Sequence, residues 1–128
     1  MLSKELGEKT TKALYKEIPE FETYAAEYLD EDFIHGYLVM DCFGSFLKRI
    51  IKQDVSPELI DRCYAFINQL CESRNKDIEE WLAVTFLESM VERGKAVQLS
   101  RLKLKGMALI LFEEVISGPM FDGGKHLE

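Results

Sequence analysis

The sequence contains few histidine and cysteine residues, which limits the zinc sites and activated nucleophiles that it could form. It has two histidines, His35 and His126, and three cysteines that form no Cys-x-x-Cys pair. A protein zinc site needs about four clustered ligands, and a nucleophilic cysteine needs a base within hydrogen-bonding reach. His35 and Cys42 are separated by about 10 Å along a helix, which is beyond that reach. We therefore predict no metal, no cofactor and no catalytic residue, and we expect a protein that is not an enzyme.

Long uncharged segments are also missing. No stretch approaches the roughly 18 to 20 apolar residues that span a bilayer. The first residues, MLSKELGEKTTK, alternate charges and lack the apolar core of a signal peptide. An odd number of cysteines is typical of proteins that keep their thiols reduced. The sequence therefore predicts a cytoplasmic protein that does not enter the membrane.

Positive charge is scarce, since the chain has a formal net charge of −7. Residues 19–32 carry six carboxylates and no basic residue, whereas residues 95–106 have four basic residues and no acidic one. An acidic chain is repelled by nucleic acid and by anionic membranes, so we expect neither as a partner. The short basic stretch is interpreted as the cationic half of internal salt bridges. Adjacent carboxylates, such as Glu79 with Glu80, are interpreted as solvated helix faces.

Apolar residues recur with helical spacing between clear breaks at Pro19, 53–57, 73–77, Gly94 and 118–124. This pattern predicts an all-α fold. We expect a single-domain bundle of five or six helices over residues 1–122, followed by a flexible tail at 123–128.

Three further features of the fold follow from the same pattern. An antiparallel helical hairpin is expected at about 57–93, with Asp77 capping its second helix, because the connection is short. A last helix is predicted over 99–117, and its second half is so uniformly apolar that it should be a buried C-terminal helix. Gly36 and Gly44 weaken a helix by about 1 kcal/mol each, which indicates close packing against a neighbour.

The acidic segment is the strongest candidate for a binding surface. Aromatic side chains supply much of the energy at protein interfaces, and complementary charge accelerates association. The segment could equally be a solubilising helix face and loop. The candidate partner-binding residues are Glu20, Glu22, Tyr24, Glu27, Tyr28, Asp30, Glu31 and Asp32.

Residues 43–95 contain FGSFLKRIIKQ, LIDRCYAFINQLCES and DIEEWLAVTFLESMVERG. An aromatic residue and Asn68 precede the break, and residues 84–88 read apolar-Thr-Phe-Leu-Glu. In these motifs the chain resembles small helical immunity proteins of bacterial polymorphic toxins and contact-dependent growth inhibition systems. The resemblance implies a non-enzymatic inhibitor that binds one cognate toxin domain, commonly a nuclease, over its basic groove or active site. The alternative is a helical adaptor or regulatory module, with homodimers as one form.

Overall fold

The computed structural model of the protein describes residues 2–29, 37–54, 56–91 and 94–117. Every regular element in these ranges is helical, so the all-α prediction is confirmed. There are seven helices in this part of the chain where five or six were expected, and none is long and apolar enough to cross a membrane. They are α1 (Lys4–Glu17), α2 (Pro19–Tyr28), α3 (Tyr37–Gln53), α4 (Pro57–Glu72), α5 (Lys76–Leu82, continued by a π-helical turn at Ala83–Leu87), α6 (Lys95–Lys103) and α7 (Gly106–Ser117).

Several helix starts are determined by local sequence. The Ser3 hydroxyl accepts a hydrogen bond from the Leu6 N–H at 3.1 Å, and the Ser56 hydroxyl accepts one from the Leu59 N–H at 3.3 Å. Each serine thereby satisfies an amide that has no partner within its own helix. Pro19 is the first residue of α2, where a missing N–H costs nothing. The predicted breaks at Pro19 and at 53–57 are confirmed by the starts of α2 and α4.

The predicted cap of α5 is wrong by two residues. Asn75, not Asp77, is the N-cap, and its Oδ1 accepts from the N–H groups of Asp77 and Ile78 at 2.9 and 3.1 Å. Arg74 has a φ of 54°, which turns the chain sharply after α4. The turn places Asn75 before the helix, so Asp77 falls inside the first turn.

The predicted last helix is two helices. Leu104 is extended, with φ −74° and ψ 143°, and its side chain is 1% exposed. Gly106 follows with a φ of 53°, which glycine adopts without strain. The Asn68 side chain compensates for the break, because its amide donates to the Lys103 carbonyl at 3.1 Å and its Oδ1 accepts from the Lys105 N–H at 2.8 Å.

The burial predicted for α7 is only partly observed. Ala108, Phe112 and Val115 are buried, but Ile110 is 51% exposed. The helix therefore lies on the outside of the bundle and buries one face against α4 and the π-helical turn. Its uniform apolar composition does not reflect central burial.

The predicted hairpin at 57–93 is also found only in part. Residues 73–75 join α4 and α5 as expected, yet the π-helical turn that extends α5 packs chiefly against α3. Gly44 of α3 explains the close approach, since a Cβ at this position would lie 2.2 Å from the Ser89 Oγ. The packing role predicted for Gly44 is confirmed, whereas Gly36 lies outside the described residues.

Phe43 lies at the centre of the core. Its ring centroid is 5.1 Å from that of Phe21 on α2, 5.3 Å from Phe86 in the π-helical turn and 6.4 Å from Phe66 on α4. Buried apolar side chains from all parts of the described chain join the same cluster. Helix α2 is thereby held on α3 with its outer face towards solvent. The predicted tail at 123–128 is not among the described residues.

Candidate interaction surface

Helix α2 carries five of the eight candidate partner-binding residues that the sequence indicated. Its inner face is fixed by Phe21 and Ala25, which are buried, so the remaining side chains project sideways or outward. The other three candidates, Asp30, Glu31 and Asp32, lie outside the described residues. The five described residues are Glu20, Glu22, Tyr24, Glu27 and Tyr28.

Glu20 forms a salt bridge within the protein, at its surface. Arg62 of α4 donates to both of its carboxylate oxygens, at 3.2 and 2.5 Å, and also donates to Glu58 at 2.7 Å. The hydrogen bonds from Arg62 lower the pKa of the Glu20 carboxyl, and the two carboxylates raise the pKa of the guanidinium. The main role of Glu20 in this arrangement is to attach the start of α2 to α4.

Tyr24, Tyr28 and Arg49 form an aromatic cluster at the far end of α2. The two tyrosine rings are 4.7 Å apart, and the Tyr24 ring also lies 5.2 Å from Phe46. The guanidinium of Arg49 on α3 sits 5.9 Å from the centre of the Tyr24 ring and donates to the Tyr28 hydroxyl at 3.4 Å. Burial raises the pKa of Tyr24. Tyr28 remains 58% exposed, so this cluster presents a large ring to solvent in a supported position.

The two remaining carboxylates lie on different sides of α2. Glu27 is seven residues after Glu20, hence on the same side of the helix, and it is exposed beside Tyr28. Glu22 is exposed on the other side, near Tyr15, whose pKa is raised by burial and further by Cys42 and Glu22. Glu27 and Tyr28 are therefore adjacent exposed residues at the end of α2, whereas Glu20 pairs with Arg62 at its start and Glu22 lies on the opposite side.

Sequence reasoning missed the two arginines that organise α2. Arg49 donates to Tyr28 from α3, and Arg62 donates to Glu20 from α4. Because each contact joins α2 to a helix further along the chain, the tertiary structure determines the role of both arginines. Their only sequence signal is that the acidic segment has no cation of its own.

The three thiols are in unreactive surroundings. Burial raises the pKa of Cys63 to about 12 and those of Cys42 and Cys71 to about 11. A thiol with so high a pKa is protonated near neutral pH and is a poor nucleophile. Cys63 and Cys71 are buried, whereas Cys42 is partly exposed. Within the described ranges no three His, Cys, Asp or Glu residues are grouped so that they could hold a metal ion.

The basic stretch of α6 has the predicted internal role. Lys95 donates to Asp54 at 3.4 Å, Arg101 donates to Glu113 at 3.2 Å, and Lys103 pairs with Asp61.

One carboxylate interpreted as solvated is instead mostly buried. Glu79 is 9% exposed, and Arg74 donates to it at 3.0 Å.

Comparison with known proteins identifies one family. A model of a domain of unknown function, DUF7674, matches residues 11–105, from within α1 to the end of the buried Leu104 junction. The match covers about three-quarters of the 128 residues and leaves α7 outside. No curated protein and no solved structure matches the chain. The chain belongs to the DUF7674 family.

Proposed function

We propose that this protein is a non-enzymatic, protein-binding immunity factor of the bacterial cytoplasm. Its partner is a cognate toxin domain with a basic surface, a nuclease in the simplest case. Binding neutralises the toxin by covering its substrate groove or active site. The observation that carries the proposal is the exposed Tyr28 ring, which Tyr24 and Arg49 contact and which follows the exposed Glu27 in the chain.

A supported aromatic ring has the properties of an interface anchor. Removal of such a residue typically costs about 2 kcal/mol or more of binding energy. Immobilising a free side chain on binding costs about 0.5 to 1.5 kcal/mol, and a ring already held by its neighbours avoids part of that cost. The contacts of Tyr28 with Tyr24 and Arg49 therefore favour binding by pre-organisation.

Charge supplies the second part of the argument. Nuclease domains must attract phosphates, so their substrate grooves are basic. A chain with a net charge of −7 is drawn to such a groove, and the exposed Glu27 adds a negative group beside the anchor. Association is expected to be fast at low salt and slower as salt screens the charges.

The experiment measures binding to the toxin domain encoded beside this gene, by calorimetry at low and moderate salt. Tyr28→Ala should weaken binding by at least about thirtyfold. Glu27→Lys should weaken binding at low salt and lose much of its effect at moderate salt. Glu80→Lys on α5 is the matched control, because it changes the net charge equally at an exposed site outside both candidate surfaces. Wild-type protein that fails to bind the domain at micromolar concentration overturns the immunity proposal. Equal losses in both charge variants would assign the effect to net charge instead of α2.

A second candidate is an adaptor or regulatory module that self-associates. The observation in its favour is α7, where Ile110 is 51% exposed and Met107 and Leu111 are half-buried beside it. An exposed apolar strip on a helix can pack against a second copy. Solution mass by light scattering separates the two candidates. A dimer that dissociates on Ile110→Glu supports the adaptor, and a monomer that binds the toxin domain supports immunity.

A further inference from the structure

A groove of about 420 Å³ runs along the outside of the molecule between α1, α4 and the start of α5. On α1, the lining residues Leu6, Thr10, Ala13 and Glu17 follow one another at intervals of four, three and four, which places them on one face of the helix. On α4, Phe66, Gln69 and Leu70 likewise share one face. The α1 wall is about 16 Å long, which is three helical turns. The lining residues are Leu6, Lys9, Thr10, Ala13, Glu17, Phe66, Gln69, Leu70, Ser73, Asn75 and Ile78.

Small side chains in the middle of the α1 wall leave room for the groove. Thr10 and Ala13 in the middle of the α1 wall leave a space that two larger apolar residues would fill. The floor below them is apolar, with Phe66 and Ile78 each only 6% exposed and Leu70 half-buried. Burial of an apolar side chain in the groove would therefore stabilise the complex by about 25 cal/mol for each Å² of apolar surface removed from water.

Both ends of the groove are fixed before any partner binds. Arg62 donates to the Glu17 carbonyl at 3.3 Å and so ties the last turn of α1 to the first turns of α4. At the other end, Asn75 caps α5 through two hydrogen bonds to its backbone. A groove with fixed walls does not have to be opened by its ligand, which lowers the cost of binding.

The ends of the groove have opposite charge. Glu17 lies at one end, and Lys9 lies about one turn from the other end, so the two side chains are about 12 Å apart along α1. A bound helix has a partial positive charge at its N-terminus and a partial negative charge at its C-terminus. These charges match the groove in only one direction, with the N-terminus at Glu17 and the C-terminus at Lys9.

We propose that this groove binds an amphipathic helix of a partner protein, with its apolar stripe against the floor and its direction antiparallel to α1. Helix-in-groove binding of this kind uses anchors at i, i+3, i+4 and i+7 of the ligand. The site goes beyond the proposed function, because none of its lining residues belongs to α2. The molecule then has two separate protein-binding surfaces.

Two synthetic helical peptides of about eighteen residues serve as probes, each labelled with a fluorophore and stapled on its outer face. Both carry leucines at i, i+3, i+4 and i+7. The first has lysines in its first turn and glutamates in its last turn, and the second has these charges exchanged. In the second peptide the charged residues favour the dipole of the peptide's own helix, so this peptide is the more stable helix when free. Stronger binding of the first peptide would therefore arise from the charges of the groove.

The matched protein variants are Ala13→Trp, which fills the groove, and Ala26→Trp, which places the same ring on an exposed position of α2. Circular dichroism and the thermal midpoint establish that both variants are folded. Fluorescence anisotropy should show that the first peptide binds wild type about tenfold more tightly than the second. Ala13→Trp should lose at least about tenfold of this affinity, and Ala26→Trp should stay within about twofold of wild type.

Three results would overturn the proposal. Wild type that binds neither peptide lacks a functional helix site. Equal losses in the two tryptophan variants place the peptide elsewhere. Equal affinities for the two peptides contradict the direction assigned from Lys9 and Glu17. None of these outcomes bears on Tyr28, so the proposed function is tested separately.

Discussion

Replacement of Gly44 by alanine tests the crossing of α3 over the π-helical turn. The new Cβ would lie 2.2 Å from the Ser89 Oγ, 3.2 Å from the Ser89 Cβ and 3.8 Å from the Phe86 Cα. The first distance is far inside van der Waals contact, so the Ser89 hydroxyl has to move. Its present hydrogen bond to the Phe86 carbonyl, at 2.7 Å, would be lost in the rearrangement.

Two opposing effects determine the size of the change. Overpacking of a buried contact costs about 1 to 3 kcal/mol. An alanine in place of a helical glycine contributes about 1 kcal/mol in the favourable direction. We expect Gly44→Ala to lower the free energy of unfolding by about 1 to 2 kcal/mol, because the serine clash and its lost hydrogen bond outweigh the gain in helix propensity.

Urea denaturation followed by far-ultraviolet circular dichroism measures this change. Ser89→Ala removes the nearest atom, so the double variant Gly44→Ala/Ser89→Ala should recover more than half of the loss. The single variant Ser89→Ala completes the double-mutant cycle. If Gly44→Ala instead stabilises the protein by about 1 kcal/mol, as at an unhindered helix position, the close crossing is wrong.

Three other predictions concern particular contacts. Asn68→Ala should cost about 1 to 3 kcal/mol and accelerate hydrogen exchange at the α6–α7 junction, because two backbone groups lose their partner; unchanged exchange would refute this role. Glu20→Gln should cost about 0.5 to 1 kcal/mol at neutral pH, a value set by the exposure of the pair with Arg62. Folding lowers the pKa of Glu20, so this contribution to stability is present above the ordinary pKa of about 4.5. It is lost as the pH falls through the pKa of Glu20 in the folded protein. The free energies of unfolding of wild type and variant, measured by urea titration, should therefore converge in acid. A thiol reagent should label Cys42 before the two fully buried cysteines, which should react only on unfolding; simultaneous labelling in native buffer would contradict their burial.

The candidate binding surface was predictable only as a segment. Composition identified residues 19–32 as acidic, and the break at Pro19 indicated where a helix begins. Which carboxylates remain exposed depends on the neighbours that α2 meets. Arg62 on α4, forty-two positions further along the chain, donates to Glu20. No local sequence pattern predicts such a contact.

The break at Leu104 illustrates a different limit. The sequence predicted one helix from 99 to 117, although its first half, SRLKLK, alternates basic and apolar residues as an exposed strand would. Burial of Leu104 in the core stabilises the broken arrangement instead. Asn68 forms hydrogen bonds with the backbone groups that the break leaves without helical partners. This choice depends on a side chain from α4, whose position exists only in the folded molecule.

What the sequence determined by itself was local. Serine caps, a proline at the start of α2 and apolar residues at helical spacing fix the helical class and several boundaries, because each acts within one or two turns of the chain. The tertiary structure decided which helices touch. The contact at Gly44, the position of α7 on the outside and the groove along α1 depend on the shapes and charges of surfaces far apart in sequence, and those surfaces meet only when the core closes.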